Sequence, residues 1–225
     1  LIPERLPPGA LNDVNTKTKG RDMPQANRIY IGGSPCAGKS TVSDLLSRDT
    51  GWAVHHCDDT IQDHLKRAHP ERHPMMAAMA RMTWEEMFMR DPLFQVHQEF
   101  LYYEEEFSLF LEDMKVYGKA PLIAEGTGLL PKSLANLGIP PHGAVFLVPT
   151  PRFQLRHYAR RPYPQILLRA CSDPRTAYKR WMKRDMLFAD RVAKEACEAG
   201  YPVIRVELGQ KAHLLYETVR SHLNI

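Results

Sequence analysis

The chain has four cysteines, Cys36, Cys57, Cys171 and Cys197, and no two of them are spaced C-x-x-C. They are expected as reduced thiols of a cytosolic protein. No apolar run approaches the ~20 residues of a membrane span, and no signal peptide is visible, so no membrane partner is expected. The ten histidines offer no ligand set. His55 and His56 are neighbours on a short strand and should face opposite sides of it, and His64, His69 and His73 are scattered over a helix end and a loop, so no zinc is expected. No internal repeat is present. Charge of neither sign dominates: the net charge of +4 is mildly basic and does not by itself call for nucleic acid. The 225 residues, 44% hydrophobic and 25% charged, suit one packed α/β domain with an insertion.

Against these absences stands one complete local motif. Gly33-Ser34-Pro35-Cys36-Ala37-Gly38-Lys39-Ser40 reads G-x-x-x-x-G-K-[ST]. A short buried strand, Arg28 to Ile31, precedes it, and a helix running to about Ser47 follows. Glycines at both ends let backbone N–H groups point inward at phosphate oxygens, and the new helix turns its positive end on the same anion. Gly33, Ser34, Ala37, Gly38, Lys39, Ser40 and Thr41 are therefore expected to bind a nucleotide. Lys39 would reach the β- and γ-phosphates, and the Ser40 hydroxyl would ligate Mg²⁺. A glycine-rich β–α turn that binds nothing would leave Lys39 and Ser40 without a reason.

Five short apolar strands alternate with helices: Arg28–Ile31, Trp52–Cys57, Pro121–Ala124, Ala144–Val148 and Pro202–Val206. That pattern predicts a parallel sheet with helices on both faces, whose ligands bind at the carboxyl ends of the strands. Residues 1–27, with Pro3, Pro7, Pro8 and Pro24, read as an extended arm, and 28–225 as the domain. Between strands two and three, a helical insertion is expected over 60–118. Met75, Met76, Met79, Met82, Met87 and Met89 fall in it, and Phe100, Tyr103, Phe107, Leu111 and Met114 repeat at helical spacing. Such a stripe is either core or a cap over an acceptor pocket, where soft methionines adapt to a shaped ligand.

Asp58 and Asp59 lie just past strand two. One of them, Asp58 by preference, could accept a hydroxyl proton or contact Mg²⁺, and the other could cap the helix from Thr60. Glu125 ends strand three and could hold a metal-bound water or a substrate hydroxyl, or be only a turn residue. Arginines crowd residues 152–191. Arg156, Arg160 and Arg161 are the expected phosphate contacts of a lid that closes on ATP, although a solvated basic face is the plain alternative. Pro162 and Pro164 are expected to break the chain into a loop, and Pro174 to open a long helix ending before Gly200.

The phosphate loop, Cys57-Asp58-Asp59-Thr60-Ile61 after strand two and Ile123-Ala124-Glu125-Gly126-Thr127-Gly128 on strand three together resemble the zeta-toxin and chloramphenicol-phosphotransferase group of P-loop kinases. The Arg161-Pro162 stretch leading to Ile166-Leu167-Leu168 is similar, distantly, to the lid of shikimate and gluconate kinases. The resemblance implies a P-loop kinase fold: a five-stranded parallel sheet in order 2-3-1-4-5, flanked by helices. It also implies ATP and Mg²⁺ as cofactors, Asp58 as general base, and a small-molecule acceptor such as a nucleotide sugar, an antibiotic or a sugar acid. A nucleoside, nucleotide or RNA-end kinase of the same fold and a nucleotide-sensing module are the alternatives. No N-K-x-D or D-x-x-G supports a GTPase, and Phe153, Tyr158, Tyr163 and Tyr178 among the arginines are a weak version of a nucleic-acid surface.

Overall fold

The computed structural model describes residues 27–225. The expected N-terminal arm lies, up to residue 26, outside the described residues. Five strands, β1 (Arg28–Gly33), β2 (Ala53–His56), β3 (Leu122–Glu125), β4 (Ala144–Pro149) and β5 (Val203–Val206), form one parallel sheet in the order β2-β3-β1-β4-β5. Every residue of β1, β3 and β4 is buried, as the central strands of a sheet covered on both faces must be.

Alternation along the strands sorts their side chains into two cores. Ile29, Ile31, Ile123, Val145 and Leu147 join Val42 and Leu46 of α1 (Lys39–Thr50) and Leu215 and Val219 of α10 (Ala212–Leu223). Tyr30, Leu122, Ala124, Phe146 and Val148 join Phe100 and Phe110 of α5 (Pro92–Asp113) and Phe188 and Val192 of α9 (Pro174–Glu198). His55 and His56 obey the same rule. His55 packs against Phe110 and Tyr117, and His56 turns to the α1 side, 3.6 Å from Asp44.

The insertion between β2 and β3 is a series of helices: α2 (Cys57–Arg67), α3 (Pro74–Met79), α4 (Trp84–Phe88), α5 and a 3-10 turn over Met114–Tyr117. Each start has a local cause. Pro74 and Pro92 occupy first-turn positions. Thr83 and Glu86 form a capping box at α4, and Asp91 caps α5 by accepting from the Leu93 and Phe94 amides. After β3 come α6 (Pro131–Asn136) and a 3-10 turn over Pro141–Gly143; α7 (Pro151–Tyr158) and α8 (Tyr163–Leu168) follow β4.

Two expectations change. Cys57 does not end strand two: α2 starts there, and Asp58 and Asp59 stand in its first turn, where carboxylates favour the positive end of a helix. The Pro162–Pro164 segment is not a loop, because α8 occupies it with Pro164 in the first turn, a place where the missing amide costs no hydrogen bond.

Candidate active site

The site is assembled at the carboxyl ends of β1, β2 and β3. After β1 the chain turns through Gly33 at φ +127, Cys36 at φ 66 and Gly38 at φ 82 before α1 begins. Gly33 is forced twice over: besides its φ, a Cβ there would stand 2.0 Å from the Leu147 carbonyl oxygen. Ser34 and Ala37 are fully buried in the turn, Ser40 is half-buried and Thr41 is exposed. Lys39 is buried, and its Nζ donates to the Ser34 carbonyl at 3.0 Å and to Thr127 Oγ1 at 3.2 Å. The lysine is thereby folded back over its own loop, aimed at the β3 end.

Gly126 lets α2 come in against that same end. A Cβ on it would lie 2.5 Å from Cys57 Cβ and 3.5 Å from Asp58 Oδ1. Close packing here brings Asp58, half-buried, next to Lys39, Glu125 and the Thr127 amide. Burial raises the Asp58 pKa, with Lys39 and the Thr127 amide opposing and Glu125 adding. Asp59 is exposed one position on.

Glu125 is buried, and its Oε1 lies 2.6 Å from His56 Nδ1. Burial alone would raise its pKa; the His56 hydrogen bond, Lys39 and the Ser40 hydroxyl together hold it below the ordinary carboxylate value. His56 is raised in return, chiefly by that hydrogen bond. The other oxygen, Oε2, is buried without a hydrogen-bond partner among the described residues. Ser40, Asp58 and Glu125 thus offer only oxygen donors, with one buried oxygen unsatisfied, and this fits a hard divalent cation such as Mg²⁺.

The arginine-rich region divides. Arg161 lies over the rings of Tyr158 and Tyr163, 5.4 and 5.9 Å from their centroids, and its charge acts on Cys36 of the phosphate loop. Arg156 and Arg160 are exposed and form no ion pair among the described residues. Arg180 and Arg184 do not belong to an outer face: Arg180 donates to the Met89 carbonyl, and Arg184 is buried between Glu99 at 3.0 Å and Asp185 at 2.7 Å.

Several site residues escape sequence reasoning. Thr127 and His56 sit inside strand motifs whose neighbours carry the signal. Glu99 and Glu106 lie on α5 in the Phe100–Tyr103–Phe107 stripe, where apolar periodicity hides them. Burial pushes Glu99 up to about 7 despite Arg184.

No family model matches this chain, and no curated protein does. Solved structures do. Shikimate kinase from Bacteroides thetaiotaomicron is 17% identical with a TM-score of 0.51, covering 88% of this chain and 99% of its own. Shikimate kinase from Acinetobacter baumannii in complex with shikimate is 20% identical at a TM-score of 0.47, covering 88% and 93%. Deoxyadenosine kinase from M. mycoides with bound dATP is 14% identical at 0.46, covering 88% and 100%. The strand order and the Bacteroides likeness define the class: this chain has the P-loop kinase fold. Among the described residues, no helix is long and apolar enough to cross a membrane.

Proposed function

We propose that the protein is an ATP-dependent kinase that transfers the γ-phosphate to a hydroxyl of a small molecule. The observation that carries this reading is Thr127, whose hydroxyl takes Lys39 and whose amide faces Asp58. One residue thus aligns the lysine of the phosphate loop with a half-buried carboxylate at the start of α2.

In this reading the loop amides and the start of α1 hold the phosphates, and Lys39 exchanges Ser34 and Thr127 for phosphate oxygens. Asp58 orients the acceptor hydroxyl and takes its proton as the oxygen bonds to the γ-phosphorus; the bond to the β–γ bridging oxygen breaks and ADP leaves. The raised pKa of Asp58 makes it a better base than an ordinary carboxylate. Ser40 and Asp58 would hold Mg²⁺, with Glu125 beside them oriented by His56, and the ion would supply neutralisation of charge on the phosphates.

Residues 60–118 serve as the acceptor-binding insertion and 152–191 as the lid. Arg161 is a lid arginine whose charge already acts on Cys36 of the phosphate loop, while Arg156 and Arg160, both exposed, would need lid movement to reach it. The Cys57–Ile61 and Ile123–Gly128 motifs support the zeta-toxin and chloramphenicol-phosphotransferase group as the finer family. The unpaired state of all four cysteines supports a reducing, cytoplasmic setting.

The test is phosphate transfer from γ-labelled ATP. Lys39→Ala is expected to abolish turnover. Unchanged turnover in that variant would overturn the reading.

A further inference from the structure

Four polar side chains gather where α1 crosses the ends of β2 and β3. The two strands run parallel with His56 level with Glu125. Residues two apart share a face of a strand, so His56 and Glu125 extend the row of Val54 and Ile123, which packs on the α1 side of the sheet. Ser40 and Asp44 lie one turn apart on α1 and meet the end of that row. The Ser40 hydroxyl bonds to the Glu125 carboxylate, and Asp44 Oδ1 lies 3.6 Å from His56 Nε2.

Within this group the hydrogen-bond roles are fixed. Glu125 is 2% exposed, and its Oε1 lies 2.6 Å from His56 Nδ1. An ionised carboxylate only accepts, so Nδ1 carries the proton and donates. The ring's other nitrogen, Nε2, is left facing Asp44.

Glu125 Oε2 is the informative atom. It is buried with no hydrogen-bond partner among the described residues, and a carboxylate oxygen bare at this depth is costly. Two apolar side chains would continue the Val54–Ile123 row without that cost. Stability therefore does not explain the pair. A ligand that takes Oε2 beside Ser40 of the phosphate loop does.

Resting on the kinase reading, in which a divalent cation accompanies the nucleotide, we infer that Asp44 and His56 are a positioning pair: Asp44 steadies Nε2 of His56, Nδ1 holds Oε1 of Glu125, and Oε2 is thereby kept free for the cation. Both residues act through Glu125 alone. Without the Nδ1 donor, Oε1 would be bare as well and the carboxylate would be free to turn. Without Asp44 the ring would keep its bond to Glu125 and lose only the contact at its outer nitrogen, so Asp44 is the lesser member.

The test uses Mn²⁺ as the probe cation and a non-hydrolysable ATP analogue, so that binding is read without turnover. The paramagnetic resonance signal of free Mn²⁺ is followed as protein and analogue are added. His56→Leu should weaken Mn²⁺ binding about tenfold or more, the scale for a residue that orients a carboxylate at a metal, while affinity for the analogue without metal is kept. His56→Asn, whose amide N–H can stand where Nδ1 stood, should recover most of that loss. His56→Gln, whose amide reaches the Nε2 position instead, should not. Asp44→Asn should weaken Mn²⁺ about two- to threefold, as a half-exposed ion pair would. Unchanged Mn²⁺ affinity in His56→Leu, or equal affinities in His56→Asn and His56→Leu, would overturn the inference. Phosphate transfer by the wild type, measured in parallel, tests the kinase reading separately: transfer together with either of those results would leave that reading standing. No Mn²⁺ bound by the wild type with the analogue would overturn the inference outright. If His56→Leu does not fold, the comparison of His56→Asn with His56→Gln decides: tighter Mn²⁺ binding by the Asn variant supports the pair, and equal binding overturns it.

Discussion

The two sides of the cleft are built in opposite ways. The phosphate side is made of backbone: a turn through positive φ at Gly33, Cys36 and Gly38 and the first amides of α1, all within one short run of sequence. The side proposed for the acceptor is made of charged side chains drawn from α2, α5 and α9, buried or half-buried and paired between helices, as in Glu99–Arg184 and His64–Glu106. A backbone cradle needs only local sequence and makes no distinction among nucleoside phosphates beyond the phosphates themselves. A buried network of ion pairs fixes charge and shape, which is where choice of acceptor has to be made.

That contrast can be broken experimentally, beginning with the largest effect. Arg184→Met should cost about 3–5 kcal/mol, because it leaves Glu99 and Asp185 buried without their cation. Thermal or urea unfolding measures this, and a loss under about 1 kcal/mol would mean that the network is not a structural element of the acceptor side. Asp58→Asn should keep ATP affinity and lose transfer by about a hundredfold or more. If Asp59→Asn does this instead, the base is the exposed aspartate.

Gly126→Ala should cost about 1–3 kcal/mol, since the added Cβ meets Cys57 Cβ at 2.5 Å and α2 must back away from β3. Its loss of transfer should exceed its loss of ATP affinity, because Asp58 moves and the loop does not.

A smaller effect follows from His64. Its folded pKa is raised: burial opposes the charged form, but hydrogen bonds to Glu106 and Asp113 outweigh it. Burial raises Glu106 as well, with His64 opposing. Both groups therefore stabilise the fold at pH below their unfolded values, and that stability is lost as pH rises through the folded values. Unfolding free energy should fall as pH rises above about 6.5, the unperturbed histidine value, and His64→Gln should flatten the slope. Equal slopes in the two proteins would remove His64 from the clamp between α2 and α5.

The same contrast explains what the sequence made legible. The five strands were readable because each is a compact apolar run bounded by turns, and the phosphate loop because eight consecutive residues specify it; the strand order came only with the resemblance to P-loop kinases. The start of α2 was not: Cys57 continues an apolar strand pattern, and only the tertiary approach allowed by Gly126 ends β2 at His56. Helix α8 was missed because two prolines read as a break when one of them sits in a first turn. The arginine cluster misled in part. Arg180 and Arg184, one helical turn apart, point into the α4–α5 region, and only the contacts of Arg180 with Met89 and of Arg184 with Phe88 and Glu99 reveal which side of α9 is inward. Glu99 and Glu106 were invisible for the same reason: their partners lie on other helices, and no local pattern records a pairing across the fold.

The central claim is that Lys39 and Asp58, joined through Thr127, form a phosphoryl-transfer site. The most direct measurement follows label from γ-labelled ATP into a new small molecule for the wild type, Lys39→Ala and Asp58→Asn, with ATP binding measured in parallel. The account predicts one labelled product in the wild type, none with Lys39→Ala, and retained ATP binding with a hundredfold or greater loss of transfer in Asp58→Asn, about the contribution of a general base. Transfer at the wild-type rate in Asp58→Asn, or ATP bound by the wild type with label in no product, would contradict it.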